Sequence, residues 1–187
     1  LRVGAGLVSL ATRPEHVAAM LVRQPEIMAT AIVSGQALEP LLTRASVLVL
    51  GPGLGRSAWS EQLLQKALAA GLPTLLDADA LNIIAEGRIA VDPQVSRWVM
   101  TPHPGEAARL LNVSVREIEA DRFAAVAQLR DKYAAVVILK GPGSLVIGTS
   151  QDPIGVCTYG NAGMASGGMG DVLAGVVGGL IAQGLPL

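Results

Sequence analysis

The sequence predicts an α/β fold with three layers, in which helices flank a mostly parallel central sheet. Two observations predict this class. Short apolar runs alternate with longer amphipathic segments along the 187 residues, which is the chain order of strands and helices in such folds. The run VLVL at 47–50 is apolar throughout, which indicates a strand covered on both faces. No linker or repeat interrupts the order, so we expect one domain over residues 1–187.

Seven apolar runs are predicted to be strands. The predicted strands are residues 7–10, 47–50, 74–76, 98–100, 136–139, 144–148 and 154–158, with 27–33 ambiguous. The last two are expected to pair with each other across a polar turn, whereas the earlier ones are separated by helical segments and should be parallel.

The predicted helices lie between these strands. Apolar residues at positions 63, 64, 67 and 68 share one face of a helix over 57–70. Ser114 and Glu117 have the spacing of a capping box, and we expect them to start one long helix that ends near Tyr133. Further helices are predicted from about 12 to 23 and from about 170 onward.

The composition excludes several classes of protein. Apolar residues make up 51% of the chain and charged residues 16%, which excludes a disordered chain. The net charge of −1 offers no electrostatic footprint for nucleic acid or an anionic membrane. No apolar run approaches the roughly 20 residues of a membrane span. The single Cys157 excludes an internal disulfide and fits a reducing compartment, so we expect a cytoplasmic protein.

The chain ends also carry an expectation. The sequence has no initial Met and opens on LRVGAGLVSL, which is typical of the middle of an element, and it stops just after a predicted helix. We therefore expect a domain truncated at both ends.

Four polar clusters each follow a predicted strand. They are GPGLG at 51–55, DADALN at 77–82, TPHPGE at 101–106 and KGPGS at 140–144. Ligands of open α/β sheets bind beyond the carboxyl ends of the strands. The shared position of the clusters therefore predicts one active site.

Each cluster also has a purely structural interpretation. GPGLG places amides against a ligand or makes a tight turn, and it lacks the GxGxxG spacing of a dinucleotide site. Asp77, Asp79 and Asn82 could orient a hydroxyl or hold Mg²⁺ through water, or an aspartate could cap a helix. His103 lies between two prolines and could bind substrate, although an isolated loop histidine is more often inert.

KGPGS offers a cation, glycine amides and a hydroxyl, which suits a phosphate. Its alternative is a hairpin turn with a solvated lysine, and it is not a Walker A loop.

The segment NAGMASGGMGDVLAG at 161–175 is the most informative part of the chain. Five glycines surround one carboxylate, Asp171, directly before an apolar helix. Glycine amides at a helix start, together with the helix dipole, form an anion site. An acid in such a site is placed to take a proton from a hydroxyl that meets a phosphoryl group. The alternative is a glycine-rich helix start that packs closely on the sheet.

The motifs GGMGDVLAG, GPGLG, LDADALN, TPHPGEAARLL, VVILKGPGS and YGNAGMASGG together resemble one family. GGMGD resembles the anion-hole and base motif of the ribokinase-like superfamily. The whole set, in the same order, resembles the ADP- or ATP-dependent NAD(P)H-hydrate dehydratases. In many bacteria these enzymes form the C-terminal half of a repair protein whose other half is an epimerase.

The resemblance implies an activity and partners. The family dehydrates the S epimer of hydrated NADH or NADPH, with ADP or ATP as co-substrate and Mg²⁺, and it releases phosphate with AMP or ADP. It implies a homo-oligomer, often a tetramer. No metal ligands follow from the motifs.

The resemblance also implies roles for single residues. Asp171 would be the base, with Gly168 and Gly170 at the anion hole. The nucleotide would contact Lys140, Gly141, Pro142, Gly143, Ser144, Asn161 and Gly170. The hydrated dinucleotide would contact Gly53, Gly55, Asp79, Asn82, His103 and Asp171.

Two other functions remain open from the residues alone. A small-molecule kinase of the same superfamily, acting on a vitamin precursor alcohol, would share the anion hole and Asp171 but release a stable phosphate ester. A nucleotide-sensing module would bind without turnover.

Overall fold

The computed structural model describes residues 1–92, 97–148 and 153–185, and in this part the chain forms two sheets. A six-stranded sheet has the order β3-β4-β5-β6-β7-β8, in which β3 to β6 are parallel and β7 and β8 are antiparallel. A parallel pair, β1 and β2, forms a separate sheet. The strands are β1 Ser9–Thr12, β2 Met28–Ala31, β3 Leu48–Leu50, β4 Thr74–Leu76, β5 Trp98–Met100, β6 Val136–Leu139, β7 Ser144–Ile147 and β8 Gly155–Cys157.

Eight α-helices are found in the described residues. They are α1 Pro14–Arg23, α2 Glu39–Leu42, α3 Ala58–Leu68, α4 Ala78–Ala85, α5 Pro104–Leu111, α6 Val115–Ala120, α7 Arg122–Tyr133 and α8 Met169–Ala182. Short 3₁₀ turns lie at Gly35–Leu38 and Ala162–Met164. None of these helices has the length and apolar character needed to cross a bilayer.

The central strands send alternate side chains to two faces of the sheet. Leu76 and Met100 pack with α4, α5 and α7 in the larger core. Leu75 and Val99 point to the other face, where they pack against Ala174 of α8. Helices therefore cover both faces, and the predicted three-layer α/β fold with a mostly parallel sheet is confirmed.

Two details of the sequence expectation are wrong. The segment after Ser114 forms two helices, because Asp121 accepts a hydrogen bond from the N–H of Ala124 and so starts a new helix. The run at 47–50 is not fully covered, since β3 lies at the edge of the sheet with Val49 43% exposed. The Ser114 capping box itself is confirmed: its hydroxyl and N–H donate to Glu117 and hold the pKa of that carboxyl below its ordinary value.

Candidate active site

The predicted polar clusters meet at the carboxyl edge of the six-stranded sheet. Strands β3 to β6 all end there, because parallel strands point the same way. Residues 51–55 follow β3, residues 77–82 follow β4, residues 101–106 follow β5 and residues 140–144 follow β6. The start of α8 lies at the same edge, since a Cβ added to Gly170 would be 3.4 Å from Lys140 Nζ.

A cluster of two buried carboxylates and one partly buried lysine lies at the carboxyl ends of these strands. Lys140 Nζ is 2.6 Å from Asp77 Oδ1 and 3.7 Å from Glu106 Oε2. The side chain of Asp77 is 1% exposed and that of Glu106 is 6% exposed. Each carboxylate would be costly to bury without its partner, so the lysine stabilises both.

This cluster decides between the interpretations of two motifs. Asp77 occupies the position before α4, but its side chain makes no capping bond to the helix and pairs with Lys140 instead. Because Lys140 pairs with Asp77, the alternative of a solvated lysine in a hairpin turn is wrong. The next residue, Ala78, has a φ of 46°, a backbone conformation that costs a non-glycine residue about 1–3 kcal/mol and is concentrated at functional sites.

The start of α8 lies next to this ion pair. An ideal Cβ built on Gly170 would be 3.4 Å from Lys140 Nζ and 3.6 Å from Asp77 Oδ2. Gly168 precedes the helix with a φ of 87°, and the N–H of Val172 donates to its carbonyl. The N–H groups of Gly170 and Asp171, in the first turn, therefore have no partner four residues back.

Asp171 is exposed in this first turn. Its carboxylate belongs to the same turn as the N–H groups of Gly170 and Asp171, for which the described part of the chain provides no acceptor, and it lies at the positive end of the helix dipole. An anion that approaches these amides would come close to the carboxylate, which is the arrangement that proton removal during phosphoryl transfer requires.

Residues 140–144 form the turn between β6 and β7. The N–H of Lys140 donates to Pro102 O at 2.8 Å, which joins this turn to the loop that carries His103. Ser144 Oγ donates to Gly141 O at 3.1 Å. Gly143 has a φ of 63°, which suits glycine.

His103 is the residue before α5, and its ring is half exposed at 50%. Nδ1 accepts a hydrogen bond from the N–H of Gly105, so a neutral ring carries its proton on Nε2, which is 3.5 Å from Glu106 Oε1. Glu106 Oε2 in turn accepts from the N–H of His103. Glu106 thus caps the helix, and the His103 ring is held by these bonds while half of it stays exposed.

The GPGLG turn is tied to the protein by its own amides. The N–H of Leu54 donates to Gly51 O, and the N–H of Gly55 donates to Asp79 Oδ2 at 2.8 Å. Asp79 therefore holds the turn. Gly53 is exposed, and a Cβ added to it would meet no atom within 4 Å.

Two predicted site residues are asparagines that contact neighbouring groups of the protein. Asn82 Oδ1 accepts from Arg109 Nη1 at 2.7 Å. Asn161 Oδ1 accepts from the N–H of Gly163 at 2.9 Å and so shapes the exposed loop before α8. Neither bond tests the predicted ligand contacts of these residues.

A separate cleft of about 330 Å³ lies at the amino ends of the strands, between Pro73, Arg97 and Ile181. It contains none of the predicted site residues.

The whole chain, residues 1–187, matches the model of the family described as NAD(P)H-hydrate dehydratase. The chain belongs to this family. The resemblance drawn from the motifs is therefore confirmed.

Two relatives in the NAD(P)H-hydrate dehydratase family show how far the likeness extends. The bifunctional NAD(P)H-hydrate repair enzyme of Coxiella burnetii is 52% identical over 186 residues, covering 100% of this chain and 37% of that protein. The ADP-dependent (S)-NAD(P)H-hydrate dehydratase of Neisseria meningitidis is 43% identical over 144 residues, covering 74% of this chain and 48% of that one. The chain thus spans well under two thirds of the length of these relatives.

The solved structures confirm the ribokinase-like fold. A ribokinase-like superfamily protein from Enterococcus faecalis superposes with a TM-score of 0.85 at 29% identity, covering 97% of this chain and 63% of that one.

For this member of the NAD(P)H-hydrate dehydratase family, the motifs missed one residue at the site. Arg122 Nη1 donates to Pro142 O at 2.6 Å, and its Nη2 donates to Leu139 O and Lys140 O. A signal existed in the sequence: Asp121 is a good helix start, and an arginine in the first turn is disfavoured by the helix dipole unless another contact compensates.

Proposed function

We propose that this chain dehydrates the S epimer of hydrated NADH or NADPH with a nucleoside di- or triphosphate as co-substrate. ADP is the expected one, because the relative from Neisseria meningitidis is named as ADP-dependent. The products would be NADH or NADPH, inorganic phosphate and AMP, or ADP where ATP is used.

One observation supports the proposal most. An exposed carboxylate, Asp171, adjoins the first-turn amides of α8, and these stand over the Lys140–Asp77 ion pair. A base, a set of amide donors and a cation, here the partly buried Lys140, are the three groups that transfer of a phosphoryl group to a hydroxyl needs.

The proposed reaction has two steps. Asp171 removes the proton of the hydroxyl on the hydrated ring, and the oxygen attacks the terminal phosphorus while the bond from phosphorus to the nucleotide oxygen breaks. The amides of Gly168 and Gly170 stabilise the charge that develops on the phosphoryl oxygens. Phosphate then leaves the ring carbon with the C–O bond electrons, the adjacent carbon loses a proton, and the C5–C6 double bond is restored.

The two ligands would approach from different sides of Asp171. We assign the nucleotide to residues 140–144 and the loop at Asn161, and the hydrated dinucleotide to Gly53 and the open side of His103. The exposed position of Gly53, with no atom within 4 Å of an added Cβ, supports its contact with the dinucleotide, and the contacts of Gly55, Asp79 and Asn82 stay predictions.

Mg²⁺ would arrive with the nucleotide. Within the described residues no three His, Cys, Asp or Glu side chains are grouped as a metal site. Asp77 and Glu106 are paired with Lys140. At such sites Mg²⁺ keeps several waters and binds substrate phosphates together with one or two carboxylates, so the ion would bind the phosphates and help to neutralise them.

The other expectations remain proposals. The relative from Coxiella burnetii is named as bifunctional, and we propose that its second activity, epimerisation, lies in the part that this chain does not match. Assembly as a tetramer stays a prediction.

The test is an assay of purified protein on hydrated NADH, with ADP, ATP or no nucleotide in parallel. Nucleotide-dependent recovery of the near-ultraviolet absorbance of the reduced nicotinamide, with one phosphate released per NADH, supports the proposal. A stable phosphate ester would identify a kinase instead. Binding of nucleotide without any turnover would point to a sensor.

A further inference from the structure

Arg122 lies under the turn that joins β6 to β7. It is the first residue of α7, and its guanidinium donates to the backbone carbonyls of Leu139, Lys140 and Pro142 at 3.3, 3.2 and 2.6 Å. Three acceptors within four consecutive residues thus converge on one side chain. The planar, forked guanidinium is suited to such a set, whereas a single ammonium is not.

These bonds determine which way the peptide groups of the turn face. No peptide bond of the described residues is cis, and in a trans peptide the C=O and the following N–H point in opposite directions. Because the carbonyls of Lys140 and Pro142 point at Arg122, the N–H groups of Gly141 and Gly143 point away from it. The carbonyl of Gly141, between these two, accepts from Ser144 Oγ. The N–H groups of Gly141 and Gly143 therefore lie on the side of the turn opposite to Arg122.

Gly141 is matched to this arrangement. Its φ is 145°, and a Cβ at this position would lie 2.8 Å from Arg122 Nη2. A side chain would have to displace the guanidinium, so the glycine and the arginine act as a unit.

The arginine is not placed optimally for stability alone. Its Nε is buried, and within the described residues it has no hydrogen-bond partner. A buried unpaired donor is unfavourable, and a positive charge in the first turn of α7 opposes the helix dipole. Both features lower the stability of the protein. They are what we expect if the side chain is placed to bind the turn at 140–144 and not to stabilise α7.

We propose that Arg122 is a positioning residue for the nucleotide: it turns the amides of Gly141 and Gly143 toward the phosphates of the co-substrate. The inference rests on the proposed function only in taking residues 140–144 as the nucleotide side of the site. Arg122 itself touches the turn and not the nucleotide.

The first experiment compares Arg122→Lys with Arg116→Lys, a control at an exposed position of α6. The Kd of ADP, measured by titration calorimetry, and the KM values of both substrates are determined. We expect Arg122→Lys to raise the Kd and KM of ADP by about tenfold or more, since it loses most of three bonds that orient the amides. The KM of hydrated NADH and kcat at saturating ADP should change less than about threefold, and the control should match the unmodified protein. A purely structural role would lower thermal stability and the active fraction and leave the Kd of ADP in the folded protein unchanged, which would overturn the proposal.

The second experiment needs no variant, so it stands even if Arg122→Lys does not fold. In the unmodified protein, addition of ADP should shift the amide resonances of Gly141 and Gly143 and slow their hydrogen exchange, while the amide of Gly71, in a turn outside the site, should not respond. Unchanged Gly141 and Gly143 amides in the ADP complex would refute the inference.

The outcomes separate this inference from the proposed function. A protein that dehydrates its substrate but shows neither effect retains the function and loses the inference. A protein that binds ADP with both effects but does not act on hydrated NADH retains the inference and loses the function.

Discussion

Two glycine-rich segments of this chain have similar sequences and opposite relations to their surroundings. In residues 51–55 the amides of Leu54 and Gly55 bond within the protein, and a Cβ at Gly51 would lie 1.7 Å from the carbonyl oxygen of Asp77. At the start of α8, a Cβ at Gly167 or Gly168 would meet no atom within 4 Å. Gly51 of the first segment allows the chain to pack closely, whereas Gly167 and Gly168 of the second leave room for something outside the protein. A glycine-rich motif therefore does not by itself identify an anion site; the partners of its amides do.

The largest effect is expected at the open segment. Asp171→Asn should lower kcat by about 10²–10⁴-fold, because the amide cannot take the proton of the attacking hydroxyl. Thermal stability should change little, since the side chain is exposed. The measurement is steady-state dehydration of hydrated NADH, with a melting curve on the same preparation. Turnover within threefold of the unmodified protein would show that the open segment does not hold the base.

The packed segment should respond to the same kind of change through stability. Gly51→Ala forces a methyl group into the backbone at Asp77 and should lower the free energy of unfolding by about 3 kcal/mol or more. Gly53→Ala is the matched control: its φ of 64° is also unfavourable for alanine, but the space is open, so the cost should be about 1–2 kcal/mol. Urea unfolding of both variants measures the difference. Equal losses would mean that close packing does not distinguish Gly51.

A methyl group at the helix start should affect activity and leave folding intact. Gly170→Ala places its Cβ at ordinary contact distance from Lys140 and Asp77, on the surface where the phosphoryl group would lie. We expect kcat/KM to fall by roughly tenfold, or about 1.4 kcal/mol in transition-state free energy. Gly175→Ala, in the same helix with open space around it, should keep full activity and gain about 0.5–1 kcal/mol of stability from helix propensity. If the two variants have the same activity, the phosphoryl group does not lie against Gly170.

The smallest effect is expected where Asp79 holds the GPGLG turn. Asp79→Ala removes the acceptor of the Gly55 N–H and should cost about 1 kcal/mol of stability, measured by urea unfolding. Affinity for ADP should stay the same, because we assign this turn to the hydrated dinucleotide and not to the nucleotide. A weaker ADP complex would show that the two segments are not independent.

The sequence predicted most strands and helices, because the runs are strongly apolar and the start signals are local. It failed at Asp121, where one aspartate side chain divides a helix that the apolar pattern continues through. It also misjudged β3, because an apolar run does not show whether another strand lies on both sides. The site was predicted at the level of clusters, since every polar cluster follows a strand and parallel strands end at one edge.

The sequence did not predict which side-chain bonds form at the carboxyl ends of the strands. Asp77 and Lys140 are 63 residues apart, and Asp77 had the same local pattern as a helix cap. Arg122 and the turn at 140–144 belong to different elements, and nothing local relates them.

The residues alone determined the class of fold, the order of its elements and the family, because these depend on apolar periodicity and on short motifs with fixed spacing. The tertiary structure decided which polar groups satisfy one another and which remain open to a ligand. A hydrogen bond or an ion pair depends on distances of a few ångströms, and only the folded chain brings residues distant in sequence to those distances.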